Sequence, residues 1–106
     1  MAKAVIQPGN CGYTCTVIAY QDGKQQVTLK IESDCKAIQR MAEELAEVNP
    51  FEEISFRRGV PRTLQVGQEY CSHTACPVPV GIIKVVELAS GMALPGEVSI
   101  TLTNDD

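Results

Sequence analysis

The hydrophobic spacing changes near Ser33 from the alternation of a strand to the period of a helix, and no other feature of the sequence limits the possible folds as strongly. Apolar and polar residues alternate over 26–32, which predicts a strand with one buried face. Ser33 or Asp34 can then cap a helix, because short polar side chains bind free backbone N–H groups. The apolar residues that follow are Cys35, Ile38, Met41, Ala42 and Leu45. Their spacing predicts a helix over 34–48 with one apolar face.

Turn-forming residues divide the N-terminal third of the chain into three predicted strands. Pro8-Gly9-Asn10 and Asp22-Gly23 are turn signals between segments rich in β-branched and aromatic residues. The first two strands are predicted near 2–7 and 13–20, and the alternating segment is the third. The pattern is that of a meander.

The C-terminal half is predicted to hold two more helices and a final strand. A good N-cap followed by proline predicts a short helix over 50–56. Residues 57–74 contain two glycines and a proline without a clear period, so a loop is predicted there. The segment 77–90 has prolines only in its first turn and is followed by Gly91, which is typical of a helix. Alternation over 97–103 predicts the closing strand.

These elements predict an α+β fold. The order β-β-β-α-short α-α-β fits a two-layer sandwich, in which a mainly antiparallel sheet of about four strands carries two long helices on one face. The chain has 106 residues, 44% of them hydrophobic, and this size leaves no room for a second independent core. A single cysteine-rich domain over 1–106 is therefore expected.

Charge and hydropathy argue against several kinds of partner. Nine Lys and Arg residues stand against 13 Asp and Glu, and the formal net charge of −4 repels a nucleic-acid backbone. No apolar run approaches the roughly 20 residues that a bilayer requires, and the N-terminus lacks the apolar core of a secretion signal. We expect a cytoplasmic protein with neither nucleic acid nor membrane as its partner. A protein partner and the oligomeric state stay open.

Five cysteines are many for such a protein, and the topology predicts that several of them meet at one edge of the sheet. Strand two leaves the end marked by Cys11 and Cys15. Strand three returns to that end, so the helix that begins at Cys35 must start there as well. Cys71 and Cys76 precede or open the second long helix, and they join the others if the predicted loop brings them to the same edge.

Metal binding is the first functional hypothesis, because thiolates are preferred ligands of soft metals. Four thiolates, or three together with His73, suit a tetrahedral zinc ion or an iron–sulfur cluster. The candidate ligands are Cys35, Cys71, Cys76 and, as the fourth, Cys11 or Cys15. The number of cysteines does not choose between iron and zinc, since both accept sets of thiolates.

The segment that begins at Cys76 resembles the TusA-like sulfur carriers. In that family a Cys-Pro-x-Pro motif opens a helix that is followed by a Pro-Gly-type turn and a strand. Cys76-Pro77-Val78-Pro79 matches the motif, and the resemblance covers about residues 76–103. It implies that Cys76 carries a persulfide at a helix N-terminus. The second hypothesis is therefore a sulfur carrier or thiol enzyme with Cys76 as nucleophile, His73 as base and Cys71 as resolving thiol.

Over its full length the chain resembles a small family of uncharacterised bacterial and archaeal domains. The segments that carry this resemblance are Ser33-Asp34-Cys35 and His73-Thr74-Ala75-Cys76-Pro77-Val78-Pro79. The resemblance supplies no mechanism. The third hypothesis is a structural or interaction domain in which the cysteines only pack in the core, since small buried cysteines are ordinary core residues.

Overall fold

The structure is a computed structural model that describes residues 1–105. The strands are β1 (Ala2–Ile6), β2 (Cys15–Gly23), β3 (Gln26–Ser33) and β4 (Glu47–Val48). The helices are α1 (Lys36–Glu44), α2 (Pro50–Glu53), α3 (Arg62–Tyr70) and α4 (Val78–Ala89). The strands form one antiparallel sheet in the order β1-β2-β3-β4, which confirms the predicted α+β class.

The core lies between the sheet and the helices. Helix α1 packs on β3, α4 packs on β1 and β2, and α3 packs on α1 and α4. The almost fully buried apolar residues include Val17, Ala19, Val27, Ile38, Met41, Leu45, Val78, Ile82, Val85 and Val86. The predicted apolar stripes of the two long helices therefore face the sheet, as amphipathic helices do in layered folds.

Helix α1 is shorter than the predicted 34–48. Cys35 is the N-cap, and its N–H donates to Ser33 Oγ at 3.1 Å, so Ser33 supports the start of the helix without being the cap itself. The helix ends at Glu44 because the chain turns back to the sheet. Val48 lies opposite Val27, and this two-residue pairing adds β4 to the edge of β3.

The prediction of a loop over 57–74 is wrong for half of that range, because α3 lies inside it. Its buried positions are Thr63, Val66 and Gly67, whose small or polar side chains hide a helical period in the sequence. Gly67 is required by packing and does not break the helix. A Cβ at this position would lie 2.9 Å from Pro79 Cγ, so glycine allows α3 to approach α4 closely.

The prediction of a closing strand over 97–103 is also wrong, and β4 is the fourth strand instead. This segment forms neither strand nor helix, and Ile100 and Leu102 are 78% and 89% exposed. Alternation makes a strand possible, but a strand also needs an edge to pair with. Within residues 1–105 that pairing is not made.

Two smaller predictions are confirmed. Helix α2 begins at Pro50, and the Phe51 N–H donates to Oδ1 of the N-cap Asn49 at 3.0 Å. Helix α4 is followed by Gly91, which has a φ of +78° and so provides the left-handed residue that ends many helices. None of the helices described is long and apolar enough to cross a membrane.

Candidate thiol site

Four cysteines from four different elements surround one end of the fold. Cys15 is the first residue of β2, and Cys35 is the N-cap of α1. Cys71 is the C-cap of α3, and Cys76 lies two residues before α4 begins. All four are free thiols, and Cys15 is fully buried while the other three are half-buried. We call these four residues the thiol site.

Backbone pairing positions the two cysteines on the sheet side of the thiol site. Cys15 lies opposite Ile6 of β1 and Ser33 of β3, so it is held between two neighbouring strands. Cys35 follows Ser33 by two residues and is bound to it by the hydrogen bond described above. The start of strand two therefore lies beside the start of the first helix, as the topology predicts, and Cys15 and Cys35 are the residues at these two positions.

Helix ends position the two cysteines on the helix side. The Cys71 N–H donates to the Gly67 carbonyl at 2.8 Å, and the Cys71 Sγ lies 3.5 Å from the sulfur of the buried Met41. The Cys76 N–H donates to the His73 carbonyl at 3.3 Å and closes a turn just before α4. Residues 72–75 between the two cysteines form neither helix nor strand.

The N-terminus of α3 is held by a buried carboxylate from another helix. Glu53 is 1% exposed and accepts hydrogen bonds from the N–H groups of Arg62 at 3.0 Å and Thr63 at 2.9 Å. The Thr63 hydroxyl donates to the same carboxylate. The N-cap Pro61 offers no side-chain acceptor. Glu53 therefore accepts the hydrogen bonds that an N-cap side chain would otherwise accept, although it belongs to α2.

Cys35 and Cys76 lie close enough to Cys15 and Cys71 to affect the ionisation of these two thiols. Burial, together with negative charge on Cys76 and Cys35, raises the pKa of Cys15 from 9.0 to about 11. Burial also raises the pKa of Cys71 to about 11, together with the charge of Cys76, a hydrogen bond with Cys76 and the charge of Cys35. At neutral pH Cys15 and Cys71 are therefore protonated.

A cavity of about 440 Å³ opens beside the helix side of the site. Cys71, His73 and Cys76 line it together with Gln68 and Thr74. His73 itself is exposed. The cavity gives a small ion or molecule access to Cys71 and Cys76, whereas Cys15 is closed off beneath them.

The structure separates the fifth cysteine from the other four. Cys11 is exposed in the connection between β1 and β2, and it is not among the groups that raise the pKa of Cys15 or Cys71. Of the two alternatives for a fourth ligand, Cys15 thus has the better position. No three His, Cys, Asp or Glu side chains within residues 1–105 are arranged to hold a metal ion as they stand.

Sequence reasoning missed two residues that shape this site. Met41 was expected only on the apolar face of α1, yet its sulfur contacts the Cys71 thiol. Glu53 carries no feature that predicts burial, yet the short helix α2 turns it inward. No local sequence pattern signals either role, and the need for Glu53 is visible only once α3 is known. The helix α3 starts without a capping side chain of its own, so its N–H groups need an acceptor from elsewhere.

The chain belongs to a family of proteins whose function is unknown. The model of this family, described as "Family of unknown function (DUF6951)", matches residues 2–102. The match confirms the expected membership of an uncharacterised domain family. No curated protein and no solved structure matches the chain. The local resemblance to TusA-like sulfur carriers gains no support from these comparisons.

Proposed function

We propose that this domain binds a thiophilic metal centre, either an iron–sulfur cluster or a zinc ion, through Cys15, Cys35, Cys71 and Cys76. The observation that carries the proposal is the gathering of four thiols from four separate elements at one end of the fold. Four sulfur ligands are what a structural zinc ion or an iron–sulfur cluster takes from a protein. The exposed Cys11 has no part in it.

Electrostatics supports a cation in this position. Burial and, to a lesser extent, the negative charge of Cys76 and Cys35 raise the pKa of Cys15 and of Cys71. A bound metal ion reverses this effect, since its positive charge stabilises every thiolate that contacts it. Binding must release protons from Cys15 and Cys71, so the affinity for metal should fall as the pH is lowered.

The helix side of the site can adapt to a metal. Metal–sulfur bonds of about 2.3 Å require the four sulfurs to come closer than they are without a ligand. Cys15 is fixed in the sheet, whereas Cys71 and Cys76 flank a connection without helix or strand. Movement of this connection brings their sulfurs together without breaking the sheet. Cys35, as a helix N-cap, adds the positive end of a helix dipole, which stabilises negative charge on the sulfurs.

A sulfur carrier is the second candidate, because Cys71 and Cys76 share a hydrogen bond and one cavity. The Cys76 Sγ would attack the terminal sulfur of a donor persulfide, forming a persulfide on Cys76 and releasing the donor as a thiol. Attack of Cys71 on the Cys76 Sγ would then give a disulfide and release hydrosulfide. The raised pKa of Cys71 disfavours this second step, since a thiolate is the attacking form.

Native mass spectrometry of protein purified without oxygen tests both candidates. We expect a mass increase that a chelator removes, equal to one zinc ion or to iron plus inorganic sulfide. The substitutions Cys71→Ser and Cys76→Ser should abolish it. The matched control is Cys11→Ser, which should leave the bound mass unchanged because Cys11 lies outside the thiol site.

Other outcomes of the same measurement would count against a metal centre. Added sulfur confined to Cys76, resistant to chelator but removed by a thiol reductant, would favour the sulfur carrier. A bare mass after reconstitution with Zn²⁺, with Fe²⁺ and sulfide, and after incubation with a small-molecule persulfide donor would overturn both candidates and favour cysteines that only pack. Circular dichroism of each variant separates loss of a ligand from loss of the fold.

A further inference from the structure

The segment Glu97–Thr103 has the pattern of a strand but pairs with no strand among residues 1–105. We call it the C-terminal segment. Val98, Ile100 and Leu102 alternate with polar residues, and these three apolar side chains are 59%, 78% and 89% exposed. Such a row of exposed apolar side chains is unfavourable in water and is typical of a surface that becomes covered.

The outer edge of β1 is unpaired along the whole strand. This strand pairs with β2 on one side only, so alternate N–H and C=O groups on its other side have no strand partner among residues 1–105. An edge of this kind is a template for a further strand. The opposite edge is less available, because β4 already covers part of β3.

The two faces of β1 match the two faces of the C-terminal segment. On the inner face, Ile6 contacts α4 so closely that a Cβ at Gly81 would lie 2.4 Å from Ile6 Cδ1. Leu88 lies seven residues after Gly81, on the same side of α4, and is only partly buried. It offers apolar surface for the apolar side chains of an added strand. On the outer face, the exposed Lys3 of β1 would meet the polar face that carries Glu97.

We propose that the C-terminal segment of one copy pairs with the edge of β1 in a second copy, and that the reciprocal exchange forms a symmetric dimer. A single copy leaves both the segment and the edge unpaired, and one closed twofold assembly satisfies both at once. The seven residues 90–96 that follow α4 span up to about 24 Å when extended, which is enough to reach a neighbouring copy.

Native mass spectrometry and sedimentation analysis of the full chain test this exchange. Reductant and chelator are present throughout, so that neither a disulfide through Cys11 nor a shared metal can link two copies. We expect twice the monomer mass of 11.5 kDa. Ile100→Glu should weaken the dimer about tenfold or more, because it places a charge on the apolar face. Thr101→Glu is the matched control, since it changes the polar face beside Lys3 and should leave the dimer intact.

Hydrogen exchange supplies the second measurement. In the dimer, outward-facing amides of β1 and amides of the C-terminal segment should be protected, and Ile100→Glu should remove that protection. A monomer in which these amides are protected would show pairing within one chain and overturn the exchange. A monomer without protection, or a dimer that Ile100→Glu does not weaken, would overturn it as well.

Discussion

The two sides of the thiol site are held in place by different kinds of interaction. On the sheet side, Cys15 is fixed by backbone pairing to two neighbouring strands, and Cys35 follows directly from the end of one of them. On the helix side, the position of Cys71 depends on α3, which is attached through a few side-chain contacts. The sheet side of the site is thus held by many backbone hydrogen bonds, whereas the helix side is held by a few specific side-chain contacts.

This difference teaches where single substitutions should matter. A strand in the middle of a sheet keeps most of its hydrogen bonds when one side chain is changed, because the backbone makes them. The helix side has no such redundancy. The N-terminus of α3 is supported by one carboxylate, and its close approach to α4 depends on one glycine, so we expect the largest effects there.

The largest effect is expected from loss of the carboxylate that supports α3. Glu53→Gln replaces one acceptor oxygen by an NH₂ group, which must face the N–H group of either Arg62 or Thr63 in a buried place. We expect a loss of about 3 kcal/mol in the free energy of unfolding, measured by urea denaturation. The matched control is Glu52→Gln, since Glu52 is its exposed neighbour and should change stability by less than about 0.5 kcal/mol. Equal effects of the two substitutions would show that the helix side does not depend on the Glu53 carboxylate.

A smaller loss is expected where α3 and α4 approach each other. Gly67→Ala places a methyl group 2.9 Å from Cγ of the ring of Pro79, and a proline ring cannot turn away. We expect a net loss of about 1 to 2 kcal/mol, although alanine by itself favours a helix over glycine by about 1 kcal/mol. Gly96→Ala serves as the control, because its added Cβ meets no heavy atom within 4 Å. A Gly67→Ala protein more stable than the parent would show that α3 shifts freely.

The sequence predicts those elements whose hydrophobic period is complete within the element. The strands β1 to β3 and the helices α1 and α4 are found close to their predicted positions for this reason, and α2 is found at its predicted N-cap and proline. Helix α3 was missed because the side that it buries is made of Thr63, Val66 and Gly67. The segment 97–103 shows the opposite case, since its local pattern is complete but its pairing depends on an edge far away in sequence.

The sequence predicts only the part of the thiol site whose position follows from local patterns. The meeting of Cys15 with Cys35 follows from strand direction, and strand direction follows from turns that the sequence displays. The arrival of Cys71 and Cys76 depends on α3 and on its distant cap Glu53, which no local pattern reveals. The choice between Cys11 and Cys15 was open in the sequence, because both lie near the start of β2 and only the fold separates an exposed position from a buried one.

The smallest effect concerns the sheet side and appears only at alkaline pH. The pKa of the buried Cys15 thiol is about 11 in the folded chain against an ordinary 9.0, so the unfolded chain loses this proton first as the pH rises. Cys15 therefore lowers the free energy of unfolding progressively between about pH 9 and pH 11. Cys15→Ala should make this alkaline loss smaller by on the order of 1 kcal/mol, measured by denaturation of reduced, metal-free protein across that window. The matched control is Cys11→Ala, which lies in the exposed connection and should retain the full pH dependence of the parent. If Cys15→Ala also keeps the parental slope, burial in the sheet does not raise the pKa of the Cys15 thiol above its ordinary value.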